Sequence, residues 1–311
     1  MEITSPTPQT RREVEIAKAS SWEAIRRVAD KYLPRFIRTV LDAFDRARSG
    51  TSVRALIRLL EEDARIEDVV NEIDWIPIDG PRAESTRYSF PILLREVLEA
   101  TAQEGADALQ RNPQVRVRGL FDVTNPRVSD WIREHSGARI TAISEESRRA
   151  IRELIATGYE RGMTAAQLGR AIRSSIGLTP RQARAVANMR ARMMADGIPA
   201  ERIDKVTGRY AERLLRQRAE VIARTEIIAA ENAGQIELWQ QQIDAGIIEA
   251  TALKEWIVTP DDRLCPECQD MDGQQVPVSA SFVGADDAPP LHPNCRCAIR
   301  LVIPKALEVA A

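Results

Sequence analysis

All four cysteines of this 311-residue chain fall between positions 265 and 297, with one of its two histidines among them. The stretch reads Cys265-Pro-Glu-Cys268, then a loop rich in Gly, Pro and Asp, then His292-Pro-Asn-Cys295-Arg-Cys297. Chance would scatter the cysteines, so a local cross-link is the first inference. A two-residue gap lets one turn present Cys265 and Cys268 to a single metal. Cys295 and Cys297 are two apart, and in an extended chain such residues share a face. His292 is a fifth candidate. The pattern fits a closed structural zinc site. Two disulfides formed under oxidising conditions, or four reduced thiols, are the competing expectations.

The rest of the chain bounds the class. Charged residues are 29%, aromatics 5% and mean hydropathy −0.30, which suits a helical globular chain and not a disordered one. Residues 1–18 lack an apolar run, so no signal peptide is expected. No stretch approaches the roughly 20 apolar residues of a membrane span. Production in a cytosol, without membrane contact, is the expectation.

Hydrophobic spacing predicts a mainly α fold with three parts. These are a helical N-terminal domain (1–112), a helical middle region with a long helix (113–248) and a small α+β cysteine-rich module (249–311). Apolar residues from Trp22 to Phe44 recur every three or four positions, so a helix is expected over 22–48 after a loose arm at 1–12. Further helices are expected over 52–64, up to Ile73, and over 90–110, with a loop over 75–87. Alternation at 114–128 favours short strands or an extended crossing, followed by a turn at Asn125-Pro126. Ser144 reads as the start of a helix ending at Gly158. Thr164 and Thr179 read as N-caps of helices to Ser175 and to Asp196, with Gln167 at the capping-box position of the first. A long helix is expected over 199–242, with a break near Gly208. Leu215, Ile222, Ala229, Ile236 and Ile243 lie seven apart on it, a seam for bundle packing or for an intermolecular coiled coil. Trp256 to Thr259 and Ala298 to Ile303 read as strands, and 304–311 as a frayed tail.

Two features of the last two helices carry chemistry. Between residues 181 and 224 eleven basic side chains face five acidic ones. Arg184, Arg190, Arg209 and Arg216 are candidate DNA contacts, against the alternative of a solvated, ion-paired face. Glu226 sits on the apolar seam, where a buried carboxylate requires a partner. Arg296 is the candidate, with an exposed helix turn as the alternative. His135, in a polar segment, reads as a surface histidine.

These C-terminal residues resemble the phage Mu F-like head morphogenesis family. The resemblance rests on Arg218 to Glu226 with Arg224-Thr225-Glu226, on Asn232, Gly234 and Trp239, and on Trp256, Thr259, Asp262 and Arg263. It continues through Cys265-Pro-Glu-Cys268, Gly273, Pro289-Pro290 and the His292 to Cys297 run, with Arg296 inside it. It covers about 121–302. What it implies is a non-enzymatic minor head protein of a tailed double-stranded DNA phage or prophage. Such a protein works with the portal and with scaffold or major capsid protein, helps DNA packaging or ejection, and sits in the virion at the portal vertex after assembly in the host cytoplasm. A zinc-stabilised nucleic-acid-binding regulator is the alternative. A metal-dependent hydrolase lacks its ligand pattern, because HExxH is absent and the two histidines lie far apart.

Overall fold

The computed structural model describes residues 8–81, 86–110, 121–259, 262 and 264–303, with side chains described from residue 26 onward and again from 89. Ten helices and three strands lie among the described residues. Helices α1 (Pro8–Gly50), α2 (Val53–Glu61), α3 (Ile66–Asn71), α4 (Ile76–Asp79) and α5 (Thr86–Gln110) are followed by α6 (Pro126–Glu160), α7 (Ala165–Ser175), α8 (Pro180–Ala195) and α9 (Ala200–Asp244). The C-terminal module adds β1 (Leu253–Ile257), α10 (Pro266–Gln269), β2 (Gln275–Pro277) and β3 (Ala298–Val302). The chain is mainly α with a small C-terminal sheet, as its hydrophobic spacing predicts. No helix among the described residues is long and apolar enough to cross a membrane.

The chain forms two compact units. One comprises residues 35–92 and 132–223. Phe36 and Phe90 meet edge to face there, with ring centroids 5.5 Å apart. Arg218 of α9 is buried and makes four hydrogen bonds. Its guanidinium donates to Ser147 Oγ (2.9 Å), to the carbonyls of Gly177 (2.6 Å) and Ile143 (3.2 Å), and to Glu146 Oε2 (2.8 Å). Burial outweighs the pull of Glu146 and lowers the Arg218 pKa to about 10. Gly177 is required at this junction. Its φ is +86°, and a Cβ would lie 2.6 Å from the Phe44 ring.

The other unit comprises residues 1–34, 93–131 and 224–311. From Thr225 to Asn232 every residue of α9 is buried. That stretch is a core helix and presents no free stripe to a coiled-coil partner. Gly234 lets α9 approach α5 closely, since a Cβ there would lie 2.6 Å from the Leu98 carbonyl oxygen. Arg127 holds the start of α6 to the end of α9 through Glu237 (3.0 Å) and Asp244 (2.9 Å). In the sheet β1 is central, flanked by β2 and β3, both antiparallel. Glu255 lies opposite Gln275 on one side and Arg300 on the other. It accepts hydrogen bonds from both, at 2.9 and 2.6 Å. Trp256, on the opposite face, packs edge-on against Phe282.

Several boundaries differ from the sequence expectation. Helix α1 begins at Pro8, so residues 8–12 are helical and not a loose arm. The expected loop at 75–87 contains α4 and the start of α5. Helix α6 begins at Pro126 and runs through Ser144, which is therefore no helix start. Ser144 Oγ instead donates to Asp79, and Ser147 receives Arg218, so cap-type residues here serve tertiary contacts. Helix α9 passes Gly208 unbroken. His135 is half-buried within α6. Ser52, Thr164 and Thr179 do cap their helices, the last two as full capping boxes. Residues 121–125 form no strand, and 114–120 and the tail 304–311 lie outside the described residues.

Candidate metal centre

The cysteine module is assembled from two short turns beside the sheet. Cys265 is the N-cap of α10, and its Sγ accepts the N–H of Cys268 at 3.3 Å. This turn places both sulfurs on one side. The second turn is closed by the Cys295 N–H donating to the His292 carbonyl at 3.0 Å. Asn294 takes φ +61°, a left-handed conformation that Asn tolerates better than most residues. Its N–H donates to Thr225 Oγ1 of α9 at 3.1 Å.

The two turns bring all five candidates together. His292 Nε2 lies 3.1 Å from Cys265 Sγ and 3.1 Å from Cys268 Sγ. Cys268 Sγ is 3.8 Å from Cys295 Sγ. Cys265, Cys268 and His292 form one set of mutually close donors, and Cys268, Cys295 and Cys297 form a second, with Cys268 common to both. No cysteine is in a disulfide. Cys268, Cys295 and Cys297 are each 2% exposed, so the cluster closes toward the core.

The electrostatics are those of thiols sharing protons. A hydrogen bond from Cys297, against burial, lowers the Cys295 pKa to about 5. The same bond, with burial, pushes Cys297 strongly upward. Burial, reinforced by the neighbouring Cys265, raises Cys268 to about 12. Burial opposes ionisation of Cys265, but hydrogen bonds from Cys268 and His292 bring its pKa below the ordinary thiol value. His292 moves up despite burial, through the Pro293 carbonyl and the Cys265 sulfur. Its Nδ1 lies 2.9 Å from the Pro293 oxygen, which leaves Nε2 aimed at the sulfurs. The donor set is soft, compact and nearly dry, and could hold a metal ion.

Helix α9 anchors this module by polar contacts with the backbone. Asn232, fully buried, accepts the Ile299 N–H of β3 at 3.0 Å and donates to the Ile228 carbonyl at 2.7 Å. Within the module itself, Thr259, just after β1, donates to the Arg296 carbonyl at 2.9 Å.

Residues 191–300 match the model of the family described as Phage Mu protein F like protein. No curated protein matches the chain, and no solved structure does. The matched segment spans the end of α8, all of α9 and the cysteine module as far as β3. It starts later than the resemblance at about 121 implies.

Within the segment the signature residues occupy structural positions. Thr225, Glu226, Asn232, Trp239 and Trp256 are buried. Arg296 is half-buried, and Arg224 and Asp262 are exposed. Glu226 and Arg296 both take part in polar contacts. The burial of Glu226, at 3% exposure, removes the exposed-turn alternative. Asn232 and Thr225 stand in the signature by resemblance. Their latching roles carry no spacing signal, because their partners are backbone N–H groups far along the chain.

The candidate DNA contacts separate into three kinds. Arg190 is 5% exposed and ion-paired to Asp204 Oδ1 at 2.6 Å, with Thr207 Oγ1 at 3.1 Å. It faces α9 and cannot reach a phosphate, which corrects that expectation. Arg184 is exposed but pairs with Glu153 at 3.0 Å. Arg209 and Arg216 are exposed.

Proposed function

We propose that this protein is a minor head protein of a tailed double-stranded DNA phage or prophage, acting in head morphogenesis. In this reading it associates with the portal and with scaffold or major capsid protein, and assists DNA packaging or ejection. Its place is the capsid interior at the portal vertex, reached from the host cytoplasm during assembly. The observation that carries the reading is the Mu F-like match over residues 191–300, supported by the burial of Thr225, Glu226, Asn232, Trp239 and Trp256 within it. The role is structural and not catalytic. The titratable cluster is the cysteine centre, and its donors are turned toward the core.

The cysteine centre fits one structural zinc. Cys265 and Cys268 would supply two ligands, and two of His292, Cys295 and Cys297 the others. A closed set of four soft donors leaves the metal a purely structural task, that of tying the α10 turn to the His292–Cys297 turn. Through Asn294 and Thr225 that clamp also fixes the face of α9.

Co-purification with the cognate portal, at low and at high salt, tests this reading. Docking through the helical surfaces predicts binding that survives salt. Failure to bind portal or immature heads, together with sequence-specific duplex binding, would instead favour the zinc-stabilised regulator.

A further inference from the structure

We infer that the outer face of α9 between Arg202 and Arg216 is a contact surface for the phosphate backbone of a double-stranded nucleic acid. The inference deepens the head-protein reading and rests on it for the identity of the duplex.

At 3.6 residues per turn, Arg202, Lys205, Arg209, Arg213 and Arg216 fall within an arc of about 80° and along about 21 Å of helix. All five are exposed. The buried residues of the same stretch, Ile203, Thr207, Ala211, Leu215 and Ala219, lie on the opposite face. Among the described residues no carboxylate lies within ion-pair distance of any of the five. Exposed arginines without a carboxylate partner among the described residues also occur elsewhere in the unit, as at Arg54 and Arg149, while other arginines there are ion-paired. Arg65, Arg152 and Arg184 are paired with Asp68, Glu67 and Glu153. What distinguishes the stripe is its concentration of five cations on one helix face in a chain whose net charge is −2.

Like charges three and four residues apart disfavour a helix. Five such positions on one stripe, bordered by the exposed Glu201 and Glu212, suit a polyanion. The chemistry favours a duplex over a single strand. Single-strand surfaces interleave cations with open aromatic platforms. Here the one ring at hand, Tyr210, is half-buried and already lies under the Arg213 guanidinium, 5.0 Å from its centroid. What remains is a straight row of cations with no base-reading constellation, so binding should be independent of sequence.

The test is fluorescence anisotropy with a labelled duplex of arbitrary sequence, titrated across salt, for the full chain, for Arg209→Gln/Arg213→Gln and for the control Arg65→Gln. Each neutralised phosphate contributes about 0.9 to the slope of log K against log salt, so the double variant should lose about 2 from the slope. Affinity at low salt should fall about tenfold or more, while the control should match the wild type. The substituted positions are exposed, and circular dichroism should confirm unchanged helix content. Absence of salt-dependent duplex binding by the wild type, or a double variant with the full slope, would overturn the inference. A double variant that binds duplex normally but no longer enters heads would overturn it too, and would assign the stripe to an acidic protein. Loss of duplex binding with head entry retained would support the stripe and leave the head-protein reading intact.

Discussion

Replacing Asn232 by Ala should detach β3 from α9. Asn232 Oδ1 accepts the Ile299 N–H at 3.0 Å, and both residues are fully buried. The truncation leaves that N–H without a partner and without water. An unsatisfied buried donor costs about 1–3 kcal/mol. The side-chain amide also donates to the Ile228 carbonyl, an intrahelical acceptor whose loss matters less because that oxygen is already at a helix turn. We take about 2 kcal/mol as the expected cost. Every 1.4 kcal/mol is about tenfold, so the protection factor of the Ile299 amide should fall about 30-fold if exchange proceeds by local opening. Hydrogen exchange followed by mass spectrometry of a peptide containing Ile299 reads this directly. Unchanged protection in Asn232→Ala would refute the latch and leave the burial of Asn232 without a physical account.

Glu231 is fully buried, and burial, with the nearby Glu104 carboxylate, raises its pKa well above the ordinary value of 4.5. The sign follows from proton counting. Between the unfolded and folded pKa values the folded chain holds a proton that the unfolded chain has released, so stability falls as pH rises through that window. Glu231→Gln should abolish that part of the decline and become increasingly stabilising relative to wild type toward high pH, as read by urea melts at several pH values. Glu226→Gln and Arg296→Met, in a double-mutant cycle, should show coupling if the two meet, and additive losses if they do not. Elemental analysis of protein purified without chelator should find about one zinc per chain, and Cys268→Ala should lose it and loosen the module while the N-terminal helices stay folded. Absence of metal with an intact-mass deficit of about four hydrogens, two for each disulfide, would reverse the zinc assignment.

How far the sequence speaks can be seen in particular residues. Thr164 and Thr179 announce their helices because an N-cap is wholly local; both cap as expected, and Thr179 adds a capping box with Gln182. The five metal-centre candidates are legible for a similar reason: soft ligands at short spacing imply a shared partner, and the fold brings them together. Ser144 misleads because the same hydroxyl that caps a helix can serve a distant carboxylate, here Asp79. Arg190 misleads because a charge count ignores direction. On α8 Arg190 sends its guanidinium inward to Asp204, while on α9 Arg209 faces out. Strand β2 escapes because three residues carry too little alternation to register. The Asn232 and Thr225 latches escape because their partners are main-chain groups, which any sequence supplies.

The central claim, a head protein, is tested most directly by the protein content of purified particles. Quantitative mass spectrometry of the phage or induced prophage that encodes this chain should find it in procapsids and virions, in few copies relative to the major capsid protein and in constant ratio to the portal. Its absence from both particles, with the protein abundant in the lysate, would contradict the account.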